Sequence, residues 1–406
     1  MLDVTHRDGA PCPLARPATQ YPLFKGFFLG GFECSCHVIS KGGRRLDLHA
    51  STRHLQFVDA DYQRLANLGM TACRDGVSWV RAARRGDTYD FSFVAPMLRA
   101  AQRHGLDVVW DLMHFGWPDN VDPFAASFPS RFARYARAFA TWLTSETDRA
   151  VMLSPINEMS FLSWAGGDVR YMNPFEEGRG VELKVQLVRA TIEAIEAIRS
   201  VDKGARFLAA DPIIYGVPRS DDPAERAAAE ALSRSQYQAW DMLTGRAWPS
   251  IGGQAHYLDV VGVNFYPHNQ FTVDRKTVFQ GETGYRPLSS MLLEVWERYR
   301  RPMIISETGT EGDARASWFA YVADECERAI EQGCELHGVT LYPVLNHPGW
   351  LDDRHCHNGL WDYADSHGNR EVHAPLEREI ARQRGRLEAA RARMLQVAHP
   401  TLARAS

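Results

Sequence analysis

Two glutamates each close an apolar run, in Leu153-Ser-Pro-Ile-Asn-Glu158 and in Pro302-Met-Ile-Ile-Ser-Glu307. Carboxyl groups paired across a cleft are what cleavage of a glycosidic bond requires. One must be protonated to donate to the leaving oxygen, and the other must be ionised to meet an oxocarbenium-like carbon. Polar and aromatic residues end the other apolar runs: Glu33 and His37, Arg74, Asp111, His114 and Trp117, Asn157, Asp211, Asn264 and Tyr266, and Asn346, His347 and Trp350. Aromatic faces stack on the apolar side of a pyranose ring, while Asn, His and Arg satisfy its hydroxyls. A single such glutamate reads equally well as a rim carboxylate in an ion pair; two of them in this company favour the chemical reading.

These residues converge only if the elements carrying them share one rim. Apolar, β-branched runs fall near Phe27–Phe32, Met70–Trp79, Leu106–His114, Ala150–Ile156, Arg206–Ala210, Leu258–Tyr266, Pro302–Ser306 and Leu336–Val344. Amphipathic segments lie between them. Ser92–His104 opens on a Ser cap and closes at Gly105, Leu183–Arg199 keeps Val188, Ile192, Ile195 and Ile198 at helical spacing, and Ala316–Gln332 ends at Gly333. Strands alternating with helices predict parallel βαβ units, and eight such units close into an α/β fold, a single (β/α)8 TIM barrel. A doubly wound sheet is the competing architecture, but Gly30-Gly31 runs into Phe32 and Glu33 with no G-x-G-x-x-G turn. Barrel enzymes place their reactive side chains at the carboxyl ends of the strands, and the two glutamates end the fourth and seventh. Residues 1–20 read as a tail, 21–374 as the barrel, and 375–406 as a surface helix and tail packing through Leu376, Ile380, Leu387 and Met394.

Composition excludes several classes of function. The chain has 406 residues, 45% of them hydrophobic and 24% charged, and a formal net charge of −4. Its length suits one barrel of about 250 to more than 400 residues. No basic block marks a nucleic-acid binder, and no stretch approaches the ~20 apolar residues of a membrane span. The N-terminus carries charges and prolines where a signal peptide needs an apolar segment. Seven cysteines at irregular spacing make no disulfide framework, so a reducing cytoplasm is the expected compartment. Cys34-Ser-Cys36 lacks a second cysteine pair and reads as small strand packing.

The motifs at the strand ends resemble those of the glycoside hydrolase family 1 β-glycosidases, in order and over nearly the whole barrel. Phe28-Leu-Gly-Gly-Phe-Glu-Cys-Ser-Cys-His37 is similar to the opening strand, and Ala72-Cys-Arg-Asp-Gly-Val-Ser-Trp79 to the second. Asp111-Leu-Met-His-Phe-Gly-Trp-Pro118 is similar to the third, and Ile156-Asn-Glu158 to the acid/base motif. Val261-Gly-Val-Asn-Phe-Tyr266 is similar to the sixth strand, and Ile304-Ile-Ser-Glu-Thr-Gly309 to the nucleophile motif. Leu345-Asn-His-Pro-Gly-Trp350 followed by Gly359-Leu-Trp-Asp362 resembles the eighth-strand loop.

The resemblance implies hydrolysis of a β-glucoside or β-galactoside with retention, and no cofactor. Glu307 would attack the anomeric carbon, held by Arg74 beneath it and oriented by Tyr266, while Glu158 would protonate the leaving oxygen. Asn157 would bind the sugar 2-hydroxyl, and Glu33, His37, His114 and Asn264 other hydroxyls. Trp117, Trp164 and Trp350 are candidate sugar platforms. The sequence departs from the family where His37 replaces the usual Gln, where Thr308 replaces Asn, and where His347 or Pro348 stands in place of an eighth-loop Glu. No Ser-x-Lys phosphate loop follows the eighth strand, which disfavours a 6-phosphosugar.

Two other readings compete. His347, Asp352, Asp353, His355 and His357 crowd one loop and, with His114 and Asp111, could hold a divalent metal as in metal-dependent barrel hydrolases. That class wants an H-x-H at the first strand, where Glu33 and a lone His37 stand, so no metal is assigned. A non-catalytic sugar-binding barrel would have no use for both carboxylates.

Overall fold

A computed structural model describes residues 22–39 and 43–398; the N-terminal tail read from the sequence and Cys12 lie outside them. Eight parallel strands form a closed barrel: Phe28–Gly31, Ala72–Gly76, Asp107–Asp111, Met152–Ser154, Arg206–Pro212, Val260–Asn264, Met303–Thr308 and Leu336–Leu341. Each lies within or against one of the apolar runs, and the first strand closes the ring by pairing with both the second and the eighth. The architecture is the (β/α)8 TIM barrel that the alternation of runs predicts.

The period of two along a strand decides what enters the lumen. Leu29, Ala72, Val109, Met152, Leu208, Val260 and Ile304 pack with Phe24 as a cluster of their own, apart from the larger core between strands and helices. Two residues further on, the same faces carry Arg74, Asp111, Ser154 and Ser306, and four residues beyond Val260 stands Asn264, all buried. The lumen therefore changes from hydrocarbon to hydrogen-bonding groups toward the carboxyl ends of the strands.

The helices follow the sequence pattern with local shifts. The segment read as starting at Ser92 becomes helical at Ala95, because the Ser92 amide donates to Asp90 in a preceding turn; it stops at Gly105 in the left-handed conformation. Gly180–Arg199 and Arg315–Glu331 match the other two predicted helices. The last helix, Ala374–Ala398, buries Leu376, Ile380 and Leu387 and packs on Arg315–Glu331. Its Arg391 donates to the carbonyls of Phe24 (2.9 Å), Lys25 (2.8 Å) and Gly26 (2.9 Å), just before the first strand.

A small parallel sheet of Tyr215–Val217 and Gln270–Thr272 sits beyond the fifth and sixth strands, outside the eight apolar runs. No helix among the described residues is long and apolar enough to cross a membrane. The six cysteines among the described residues are free and buried. Cys34 and Cys36 lie against Gly76 and Gly116, where an added Cβ would come within 2.4 Å and 2.2 Å of them, so they pack as expected.

Candidate active site

Arg74 is the hub of the polar end of the lumen. It is 1% exposed, and a guanidinium so deep requires carboxylates to offset its charge, which its two Nη atoms find. Nη1 donates to Glu307 Oε1 at 2.6 Å and Nη2 to Asp111 Oδ2 at 2.6 Å and Asn157 Oδ1 at 2.7 Å. One side chain of the second strand thereby ties together the third, fourth and seventh. Desolvation opposes its charge, but the Asp111 and Glu307 carboxylates outweigh that and hold the guanidinium more firmly protonated than usual.

The two glutamates end in unlike environments. Both oxygens of Glu307 accept strong donors: Arg74 on Oε1, and the Tyr266 hydroxyl on Oε2 at 2.7 Å. Ionised carboxylates are pure acceptors, so this setting matches an anion. Among the described residues Glu158 has a single side-chain hydrogen-bond partner, the Asn264 amide, 2.8 Å from Oε1. Burial, then the charge of Glu307, push its pKa up to about 8, which keeps a proton on it at neutral pH.

Backbone geometry aims Glu158 into the lumen. Its φ of 47° lies in the left-handed region, a conformation costing a non-glycine residue about 1–3 kcal/mol. The surrounding bonds enforce it: Glu158 N donates to Ala210 O at 2.9 Å, and Asn157 N to Met113 O at 3.0 Å. Two residues on, Ser160 donates from both its amide (3.1 Å) and its hydroxyl (2.8 Å) to the buried Asp211 carboxylate. Burial raises the Asp211 pKa to about 7.

The remaining predicted residues divide into those facing the carboxylates and those used elsewhere. Asn157 spends Oδ1 on Arg74 and places its amide nitrogen 3.0 Å from His114 Nε2, with an amide hydrogen left for a ligand. His114 also meets Asp111 and Cys34, each 3.3 Å from Nδ1, and Glu33, 3.8 Å from Nε2. Burial disfavours its charge, but Glu33 and Asp111 together raise its pKa. Glu33 accepts from the Ser35 amide at 2.8 Å; burial works against its charge, yet His114 and His347 bring its pKa below the usual range.

His37 is fully buried, and neither ring nitrogen has a hydrogen-bond partner among the described residues. Its ring stands edge-on to Trp350 at 4.5 Å, and the Trp350 Nε1 is unpartnered too. Burial depresses the His37 pKa to about 3, so the ring is neutral and offers one donor and one acceptor. Unsatisfied buried groups of this kind are suited to ligand hydroxyls.

The other candidate residues have these surroundings. Asn264, expected on a sugar, is fully buried and bonded to Glu158 and to Ser306 Oγ (2.5 Å), so its side chain is already engaged on both. Trp117, expected as a platform, is 5% exposed and lies edge-on to Phe128 in the core. The crowded loop does not gather as a whole: Asp353 pairs with Arg44, and His347 bonds Pro348 O and Asn358. Asp111 and His114 lie apart from this loop, buried beside Cys34, Arg74 and Asn157, and His355, His357 and Asp362 form a separate, outward-facing group. The structure adds two contacts: Asp111 anchors Arg74, and Asp211 clamps Ser160. Their position at strand ends was visible in the sequence, their partners were not.

No protein-family model matches the chain, and no curated protein matches it in sequence. Solved structures match over almost the whole fold. The AHE enzyme from Alicyclobacillus herbarius superposes with a TM-score of 0.73 at 17% identity, covering 91% of this chain and 100% of that one. A β-glucosidase from Thermotoga maritima in complex with glucoimidazole gives 0.71 at 15% identity, covering 91% and 99%. A family 1 β-glucosidase from Thermotoga maritima gives 0.70 at 16%, again over 91% and 99%. At such identities the likeness is one of fold: this chain has the barrel of the family 1 β-glucosidases along nine tenths of its length.

Proposed function

We propose that the chain is a divergent glycoside hydrolase family 1-like enzyme, a retaining β-glycosidase acting on a β-glucoside or β-galactoside. The observation that carries this is the inequality of the two buried glutamates. Glu307 accepts from Arg74 and Tyr266 on its two oxygens, whereas Glu158 has one amide partner and a pKa pushed up to about 8. A double displacement needs such a pair.

In the first step Glu307 attacks the anomeric carbon while Glu158 gives its proton to the leaving oxygen. In the second, Glu158 takes a proton from water, which displaces Glu307. The free amide hydrogen of Asn157 serves the 2-hydroxyl, and His37, His114, Glu33 and Trp350 the rest of the sugar. Retention calls for carboxyl groups about 5–5.5 Å apart. No metal or cofactor takes part in this reading, and the free cysteines agree with a cytoplasmic location.

The test is a panel of nitrophenyl β-glycosides with the product anomer followed by NMR. Release of the β-anomer, abolished in Glu307→Gln and reduced in Glu158→Gln mainly for poor leaving groups, is the expected result. Activity that survives Glu307→Gln, or an inverted product, refutes the proposal.

A further inference from the structure

The outward-facing group left over from the crowded loop has the chemistry of a metal site. His355 and His357 are two residues apart, and alternation along extended backbone puts both rings on one side. Their ring centroids lie 4.6 Å apart with planes 15° from parallel. The Asp362 carboxylate reaches back to them, with Oδ1 2.8 Å from His355 Nε2. One donor atom from each of the three lies within 4.8 Å of the others.

Asp362 is held in place before any ion arrives. Its Oδ1 also accepts from Asn346 Nδ2 at 3.0 Å and from the Tyr363 amide at 2.7 Å. Tyr363 stands edge-on to the His355 ring at 4.1 Å. Bound outer partners of this kind orient metal ligands. The neighbouring charges are already spent: Arg354 pairs with Glu311 and Asp352, and Asp353 with Arg44. The His355 and Asp362 side chains are 49% and 30% exposed, so water can fill the other coordination positions.

We propose that His355, His357 and Asp362 form a transition-metal site that staples the loop following the eighth barrel strand. Two imidazole nitrogens and a carboxylate oxygen select Zn²⁺, Ni²⁺ or Cu²⁺ over Mg²⁺ or Ca²⁺. Bonds of about 2.0–2.2 Å need donor atoms about 3–4 Å apart, which a small rotation of exposed side chains supplies. On binding, His355 takes the tautomer with its proton on Nδ1, so that the Nε2 lone pair meets the ion where the contact with Asp362 now lies. The staple joins Asp362, bonded to Asn346 at the start of the loop, to the segment beyond Trp350. That tryptophan covers His37, so the ion stiffens the wall of the candidate active site without entering it.

The experiment uses tag-free, chelator-stripped, full-length protein titrated with Zn²⁺ by calorimetry and with Cu²⁺ by electron paramagnetic resonance. One equivalent bound, with nitrogen splitting from two imidazoles, is expected. His355→Ala with His357→Ala should weaken binding at least about tenfold, and His104→Ala should leave it unchanged. Thermal melts without metal establish that the variants are folded, and His355→Gln replaces the double variant if it is not. No uptake, or equal affinity in the His355 variants, overturns the proposal. The readout is metal binding rather than turnover, so it stands or falls separately from the glycosidase reading.

Discussion

At the scale of single residues the site turns on how two chemically identical side chains are made different. Tyr266 contributes one hydrogen bond to Glu307, and hydrogen bonds to charged groups are worth about 1.5–3 kcal/mol. Tyr266→Phe is therefore expected to lower kcat/KM about ten- to hundredfold on a nitrophenyl glycoside, with the thermal midpoint nearly unchanged. Glu158 must hold its proton to act as an acid, so kcat/KM should fall as pH rises through about 8, a limb absent from Glu158→Gln. Stability carries the same signature. The native state keeps a proton that the unfolded chain releases above its ordinary value of 4.5, so the contribution is full below that pH and is lost as pH rises through about 8. Glu158→Gln should melt with wild type near pH 5 and above it at pH 9; a constant difference across that range refutes the assignment.

At the scale of elements Glu158 depends on a helix start as much as on its own side chain. The Asp211 carboxylate at the end of the fifth strand accepts two bonds from Ser160, and with them holds the left-handed turn at Glu158. Asp211→Ala leaves those donors unpaired in a buried place, at about 1–3 kcal/mol each. Turnover of substrates with poor leaving groups should drop while activated ones are largely spared, and Asp211→Asn should restore part of the loss. Equal loss on both substrate classes would mean that the clamp is only structural. This clamp also marks where the sequence stops being legible. The eight barrel strands announce themselves as apolar runs, and the glutamates that end two of them point to the chemistry. Asp211, Asn264 and Asp111 have partners 37 to 107 positions away, set by barrel closure rather than by any local pattern. The strands Tyr215–Val217 and Gln270–Thr272 are three residues each and contain Gln270 and Thr272, so no apolar run gives them away.

At the scale of the whole molecule, the two ends of the described chain are locked together. Arg391 on the last helix is 7% exposed and holds three consecutive backbone carbonyls ahead of the first strand. Arg391→Leu should cost at least about 3 kcal/mol in urea unfolding, since those carbonyls lose charge-assisted donors. A surface helix of no structural importance would leave the midpoint where it was. The same lock has a consequence for how the protein is made. Translation runs from one end, at about 5–20 residues per second, so the first strand waits roughly 20–70 s for the side chain that completes its surroundings. The first strand keeps one unpaired edge until Leu336–Leu341 has been made, and the carbonyls of Phe24, Lys25 and Gly26 wait longer still for the guanidinium that caps them.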